Sequence, residues 1–131
     1  LEVYDSNTWR PYCHVKDFAR ILEKIIDANK QTTDFQVFNV GSNRNNFTKK
    51  QIVEKIFKFI PNNKVTFTDK KKDPRNYKVD FSKIYKILNF KIEYTVNDGI
   101  EEMINFFKKN KKVLNTFNHI KFGNNIINTE Q

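Results

Sequence analysis

The chain has 131 residues, a formal net charge of +9, one cysteine and only three glycines and three prolines. That length supports one ordinary domain around one hydrophobic core and argues against a second independent domain. Cys13 alone excludes an intrachain disulfide and points to a reducing, cytoplasmic setting, and no apolar run approaches the ~20 residues that span a bilayer.

The positive excess favours anionic partners such as phosphates or nucleic acid. Part of it is compositional, because Lys, Asn, Ile and Phe are abundant together, as AT-rich codons would impose. The sequence opens at Leu1 with a strand-like "LEVY", the beginning expected of a piece of a longer protein.

Residues 1 to 15 alternate loosely around the polar turn Asp5 to Asn7, as two short strands do. Phe18, Ile21, Leu22, Ile25 and Ile26 then recur at helical spacing as one apolar stripe, with Asp17 placed to cap the first turn. "FQVFNV" (residues 35 to 40) is rich in aromatic and β-branched residues and stops at Gly41, which predicts a well-buried strand. Thr48-x-x-Gln51 is a capping box and opens a helix carrying Ile52, Val53, Ile56, Phe57 and Ile60 before Pro61. "KVTFT" (residues 64 to 68) alternates as a strand, and the charged stretch 69 to 78 reads as an exposed loop. A short helix with Ile84, Ile87 and Leu88 inward follows. A second capping box, Thr95-x-x-Asp98, opens a helix whose Ile100, Met103, Ile104 and Phe107 share a face. Residues 111 to 131 are basic and Asn-rich with few apolar positions, the composition of a loosely ordered tail.

Much chemistry is missing. Gly41, Gly99 and Gly123 are too far apart to form the glycine-rich turn that brings backbone amides to a dinucleotide or a P-loop phosphate. His14 and His119 do not make a metal cluster, and no Ser or Cys has a recognisable base nearby in sequence. Arg10 is the most informative residue. Flanked by Trp9 and Tyr12 and stiffened by Pro11, its guanidinium loses little freedom in gripping a phosphate or carboxylate. The plain alternative is an arginine stacked on an aromatic ring or paired with an acid. Arg75, in "KDPRNY" behind Lys70 to Lys72, completes a cationic clamp with Arg10 if its loop folds back; otherwise it is part of a solvated charge run. His14 reads as a partly buried hydrogen-bonding residue and Cys13 as a small core residue.

The run Arg10-x-Tyr12-x-His14-Val15-x-Asp17-x-Ala19 resembles the segment R-x-[FY]-x-[HY]-V-x-D-x-A in the C-terminal half of the NAD-dependent epimerase/dehydratase family, the extended short-chain dehydrogenases that act on nucleotide sugars. "VFNVGS" (residues 37 to 42), "DPRNYKVDFSKIYKILNFK" (73 to 91) and "YTVNDGIEEMI" (94 to 104) follow in the family's order, so the resemblance covers residues 3 to 107. It implies that Arg10 reaches the pyrophosphate of a nucleotide-diphosphate sugar and that Asp17 begins the next helix. Arg75 is the nearest match to the second phosphate-binding cation, although this chain reads "KKKDPR" where many members carry R-x-G-D. Asn39 and Gly41 match the N-x-G at the end of the last strand of the dinucleotide-binding sheet, with structural roles, Gly41 making a turn that a side chain would hinder.

The resemblance implies NAD or NADP in the complete enzyme and no determinants for it in this chain, because the glycine-rich turn and the Tyr-x-x-x-Lys pair belong to the other half. Tyr12 and Lys16 have that spacing, but they straddle a strand end where residues four apart share no face, so they are not the catalytic pair. The expected architecture is α/β and partial: residues 1 to 110 as a C-terminal substrate-binding portion with the last strand of a Rossmann-type fold whose N-terminal sheet is missing, and residues 111 to 131 as the tail. The expected function is nucleotide-sugar binding without catalysis by this chain alone. The expected partner is an N-terminal Rossmann half or a second copy, with no membrane. The rival from another class is a small basic nucleic-acid-binding module, disfavoured because the positive charges are scattered over all elements. A non-catalytic remnant is the third reading.

Overall fold

Two short strand pairs tie the N-terminal segment to the middle of the chain in the computed structural model, which describes residues 1–62, 64–68 and 74–110. The start of the charged loop, 69 to 73, and the tail from 111 lie outside the described residues. β1 (Glu2–Tyr4) pairs in parallel with β4 (Thr66–Thr68), Glu2 opposite Thr66 and Tyr4 opposite Thr68. β2 (Trp9–Pro11) pairs antiparallel with β3 (Asn46–Thr48), which sets Arg10 opposite Phe47. The two strands expected in residues 1 to 15 are therefore present but belong to different sheets.

Among the described residues five helices accompany them: α1 (Val15–Asp27), the single turn α2 (Lys30–Thr33), α3 (Lys49–Phe59), α4 (Ser82–Leu88) and α5 (Val96–Lys109), with a 3₁₀ turn at Asn43–Asn45. Both capping boxes form. Thr48 accepts from the Gln51 amide while the Gln51 side chain accepts from the Thr48 amide, and Thr95 and Asp98 do the same at the start of α5. These reciprocal bonds satisfy amides that have no partner within the helix.

The core joins α1, α4 and the chain on either side of them. Ile21, Ile84, Leu88 and Phe90 are buried together, and Ile25, Ala28, Phe38, Val40 and Ile92 pack around them. Three expectations change at this point. The α1 stripe splits, because Ile21 is sealed in the core while Phe18, Leu22 and Ile26 stay exposed on the helix's other side. The segment 35–40 is not a buried strand: it forms no ladder among the described residues, and Phe35 and Val37 face solvent. A strand requires a neighbour to receive its backbone bonds, and among the described residues none lies beside it. On α4 and α5, Ile87 and Met103 are exposed rather than inward, so each inward face is narrower than periodicity suggested.

Asp17 also departs from expectation. The N-cap of α1 is His14, whose Nδ1 accepts from the Lys16 amide at 3.2 Å. Asp17 lies inside the first turn with its carboxylate fully buried, where it accepts from the backbone amides of Glu93 at 2.9 Å and Tyr94 at 3.1 Å. Arg20, one turn along, donates to the same carboxylate at 2.6 Å and also pairs with Glu93. A buried carboxylate is tolerable only when its lone pairs are met in this way. Gly41 fulfils its expected structural role: its φ is +150°, and an added Cβ would lie 2.7 Å from the Phe81 ring.

Two predictions follow from these fastenings. Asp17→Ala leaves two backbone amides and a guanidinium unmet, and it should cost roughly 3–5 kcal/mol in chemical denaturation; a loss under 1 kcal/mol would show that the carboxylate is dispensable. The capping carboxylate Asp98 is held below its ordinary value of 3.8 by hydrogen bonds from Thr95. Asp80 is lowered likewise, by bonds from Ser82. Because the unfolded chain takes up these protons more readily, their stabilisation is complete above about 3.8 and is lost as pH falls through the depressed folded values. The melting temperature should fall in that acid range, and less steeply for Asp98→Asn than for wild type.

Candidate functional site

Arg10 is held at the middle of β2, half-buried, by the antiparallel ladder to β3. Its Nη1 donates to the carbonyl oxygen of Trp9 at 2.8 Å, and its guanidinium carbon lies 5.5 Å from the centre of the Tyr77 ring. Tyr77 belongs to the segment that follows Arg75. The ring therefore braces a cation whose fork already has one nitrogen fixed, which limits the conformations available to the rest of it.

The segment 74–80 has no regular structure, yet it is tied across β2 and β3 by side-chain amides. Asn76 Oδ1 accepts from the Trp9 amide at 2.9 Å, and the Tyr77 amide donates to the Trp9 carbonyl at 3.4 Å. Asn46 on β3 makes a pair of hydrogen bonds of the kind a neighbouring strand would make: its Nδ2 donates to the Val79 carbonyl and its Oδ1 accepts from the Val79 amide, both at 2.9 Å. Asn43 Oδ1 accepts from the Phe81 amide at 2.8 Å, and Asn39 Nδ2 donates to the Asp80 carbonyl at 3.2 Å. These amides replace a strand ladder with a peptide-like one.

The Arg75 loop does fold back onto the strand of Arg10. Asn76, Tyr77 and Lys78 meet Trp9 and Arg10 directly, while Arg75 is exposed at the segment's outer end. Neither guanidinium is without a partner. Sequence reasoning missed Lys78, whose Nζ sits 3.7 Å from the centre of the Trp9 ring, and it missed Tyr77. Nothing in the spacing marks them; only the fold-back brings them to β2.

Tyr12 and Lys16 are directed apart, as their position around a strand end requires. Lys16 Nζ bonds Glu102 at 2.9 Å, and Tyr12 packs near Phe47. Burial pushes the Tyr12 phenol up, with Arg10 opposing, which is the opposite of what a catalytic tyrosinate needs. Cys13 is half-buried, and burial raises its thiol too, so it is not an activated nucleophile. His14 uses both nitrogens: Nδ1 caps α1 and Nε2 lies 3.3 Å from Glu102, with the ring stacked on Tyr94.

Surface hollows among the described residues include these three. An apolar cleft of about 560 Å³ runs between α3 and α5 and is lined by Ile52, Ile56, Ile100, Met103 and Phe106. A more polar one of about 590 Å³ lies against residues 41–45 and α4. The smallest, about 200 Å³, is walled by Pro11, Tyr12, Asn39, Val40, Val79 and Phe81. It lies where the segment 35–40 ends and the 74–80 segment crosses, one residue beyond Arg10. Crevices at the carboxyl ends of strands are where open α/β sheets receive ligands. Among the described residues no helix is long and apolar enough to cross a membrane.

No family model matches the chain. An uncharacterised protein of Methanocaldococcus jannaschii is 29% identical over 119 residues, which are 85% of this chain and 34% of that protein. Among solved structures, the L-threonine dehydrogenase of Phytophthora infestans superposes with a TM-score of 0.67 at 17% identity, over 82% of this chain and 37% of that one. The dTDP-glucose 4,6-dehydratase of Bacillus anthracis, solved in complex with NAD, gives 0.66 at 23% identity, over 86% of this chain and 35% of that one. The L-threonine dehydrogenase of Clostridium difficile gives 0.65 at 20% identity. The fold is thus mixed α/β, the fold of a part of these Rossmann-type solved structures. The chain spans about a third of the length of the Methanocaldococcus jannaschii relative.

The side-chain ladder can be tested directly. Asn46→Ala removes both bonds to Val79 and should cost about 2 kcal/mol. Amide exchange of Val79 should quicken while that of Tyr12, bonded to the Asn45 carbonyl, stays protected. Unchanged Val79 protection would mean that the segment is held by something other than the asparagines.

Proposed function

We propose that this chain is the nucleotide-sugar-binding portion of an NAD(P)-dependent epimerase or dehydratase, with residues 1 to 110 forming that portion and Arg10 and Arg75 gripping the diphosphate. The observation that carries the reading is the return of the 74–80 segment onto β2, which sets Asn76, Tyr77 and Lys78 against Trp9 and Arg10. Both candidate cations, 65 residues apart in sequence, are then served by one strand and one tied segment. Lys78 joins them as a third cation on that segment.

The division of labour is chemical. Arg10 supplies a planar fork, oriented by its bond to the Trp9 carbonyl, of the geometry that suits a diphosphate. The Tyr77 ring limits guanidinium motion, so less entropy is lost on binding. The small hollow beside Tyr12, Asn39 and Val79 walls the sugar end. The nicotinamide cofactor, when bound in a complete enzyme, takes and returns the hydride. The contribution of this chain is to hold and orient the substrate, which is where remote binding energy supports the chemical step. The fold's other members include dehydrogenases of a small amino acid as well as a nucleotide-sugar dehydratase; the cationic pairing favours the phosphorylated substrate.

Trp9, the single tryptophan, lies beside the proposed site and serves as the reporter. Titrating a panel of nucleoside diphosphates should change its fluorescence saturably, and Arg10→Ala should weaken the affinity at least about tenfold, in line with loss of a charge-assisted hydrogen bond. Arg75→Ala should weaken it less, since Arg75 is the more exposed. Equal affinities for wild type and Arg10→Ala would remove Arg10 from the site.

A further inference from the structure

The apolar cleft between α3 and α5 takes no part in the proposed grip on a diphosphate. Ile52 and Ile56 of α3 line it together with Ile100, Met103 and Phe106 of α5, and Val15 adds to the same lining. Three of these side chains stand largely in solvent: Val15 is 76% exposed, Met103 61% and Phe106 52%. A hollow of about 560 Å³ lined in this way leaves contiguous apolar surface in water, the condition that a contact surface relieves. The cleft follows α5, since Val96 in the first turn and Phe107 near the last both line it. Between those two residues the helix advances about 16 Å.

We propose that residues 113 to 122 of this same chain lie in that cleft. The stretch is outside the described residues, and its sequence and point of attachment select it. Val113, Leu114, Phe117 and Ile120 recur at i, i+1, i+4 and i+7, one face of a helical pattern, with Asn115, Thr116, Asn118 and His119 between them and Gly123 marking the end. Ten residues at helical rise cover about 15 Å, which matches the run of the cleft along α5. The reach is short as well. α5 closes with the Asn110 amide donating to the Phe106 carbonyl, so Asn110 to Lys112 make the reversal, within the roughly 2–8 residues that join helices in bundles. A segment tethered so near its site is present at an effective concentration on the order of millimolar, which a second copy in dilute solution does not reach. Docked there, the segment covers Cys13 and Met103 and braces the wall that carries Tyr12 and His14, the residues between Arg10 and α1. The contact is independent of the diphosphate reading and stands or falls apart from it.

The single cysteine and the single methionine of the chain both line the cleft and report on it. Alkylation of Cys13 by iodoacetamide is followed in the full 131-residue chain, in the double variant Phe117→Glu with Ile120→Glu, and in a control, Asn124→Glu with Asn125→Glu, which adds the same charge beyond Gly123. The first pair should speed alkylation by about tenfold or more, as expected when a covering segment is released, and the control should stay within about twofold of wild type. Met103, labelled at its methyl group, should show nuclear Overhauser contacts to the Phe117 ring in wild type, a readout that holds even where the double variant fails to fold. Equal alkylation rates in all three chains, or a Met103 methyl without contact to residues 113 to 122, overturns the proposal. Contacts found only between differently labelled copies in a mixed sample overturn it in favour of a second copy.

Discussion

The buried carboxylate of Asp17 is the constraint on which the arrangement depends. It takes the amides of Glu93 and Tyr94 and the guanidinium of Arg20, and so joins the start of α1 to the chain just before α5. Because β2 leads into α1 through only three residues, the same fastening fixes the direction in which β2 leaves the core. His14 reinforces it from the other side, capping α1 while its ring stacks on Tyr94. Arg10 is thereby held on a strand with both ends anchored, one by β3 and the other by this junction.

Asparagine does for the irregular segment what Asp17 does for the helices. Residues 74–80 form no strand, and Pro74 at their start removes a backbone donor. Asn46, Asn43 and Asn39 substitute their amides for the missing strand, and the segment comes to lie across β2 without becoming part of it. The abundance of asparagine in this sequence, which composition alone attributes to codon bias, thus has structural work at these three positions.

Much of the local structure was legible from the residues. Both capping boxes form at the positions their spacing marks, and Gly41 occupies a backbone conformation and a space that exclude a side chain. The α/β class also follows from alternating and helical periodicities. What periodicity could not show was which apolar side of α1 meets this chain's own core, since Ile21 and Leu22 read alike until the neighbours are in place. The segment 35–40 shows the same limit: its composition is that of a strand, but strand formation depends on a partner that the residues themselves do not specify. Asp17 was misread for a related reason, because a carboxylate in a first turn is usually a cap and only the fold brings residues 93 and 94 to it. Of the site, Arg10 and Arg75 stood out by type and resemblance, whereas Tyr77 and Lys78 acquire meaning only through the fold-back.

The central claim is that a diphosphate binds where β2 and the tied segment meet. The most direct measurement is a backbone amide spectrum of the chain titrated with a nucleoside diphosphate, with shifts mapped onto the sequence. The account predicts that the largest changes fall on residues 9 to 12 and 74 to 80, with smaller ones on β3. Changes concentrated instead on α3 and α5, around the apolar cleft, would contradict it.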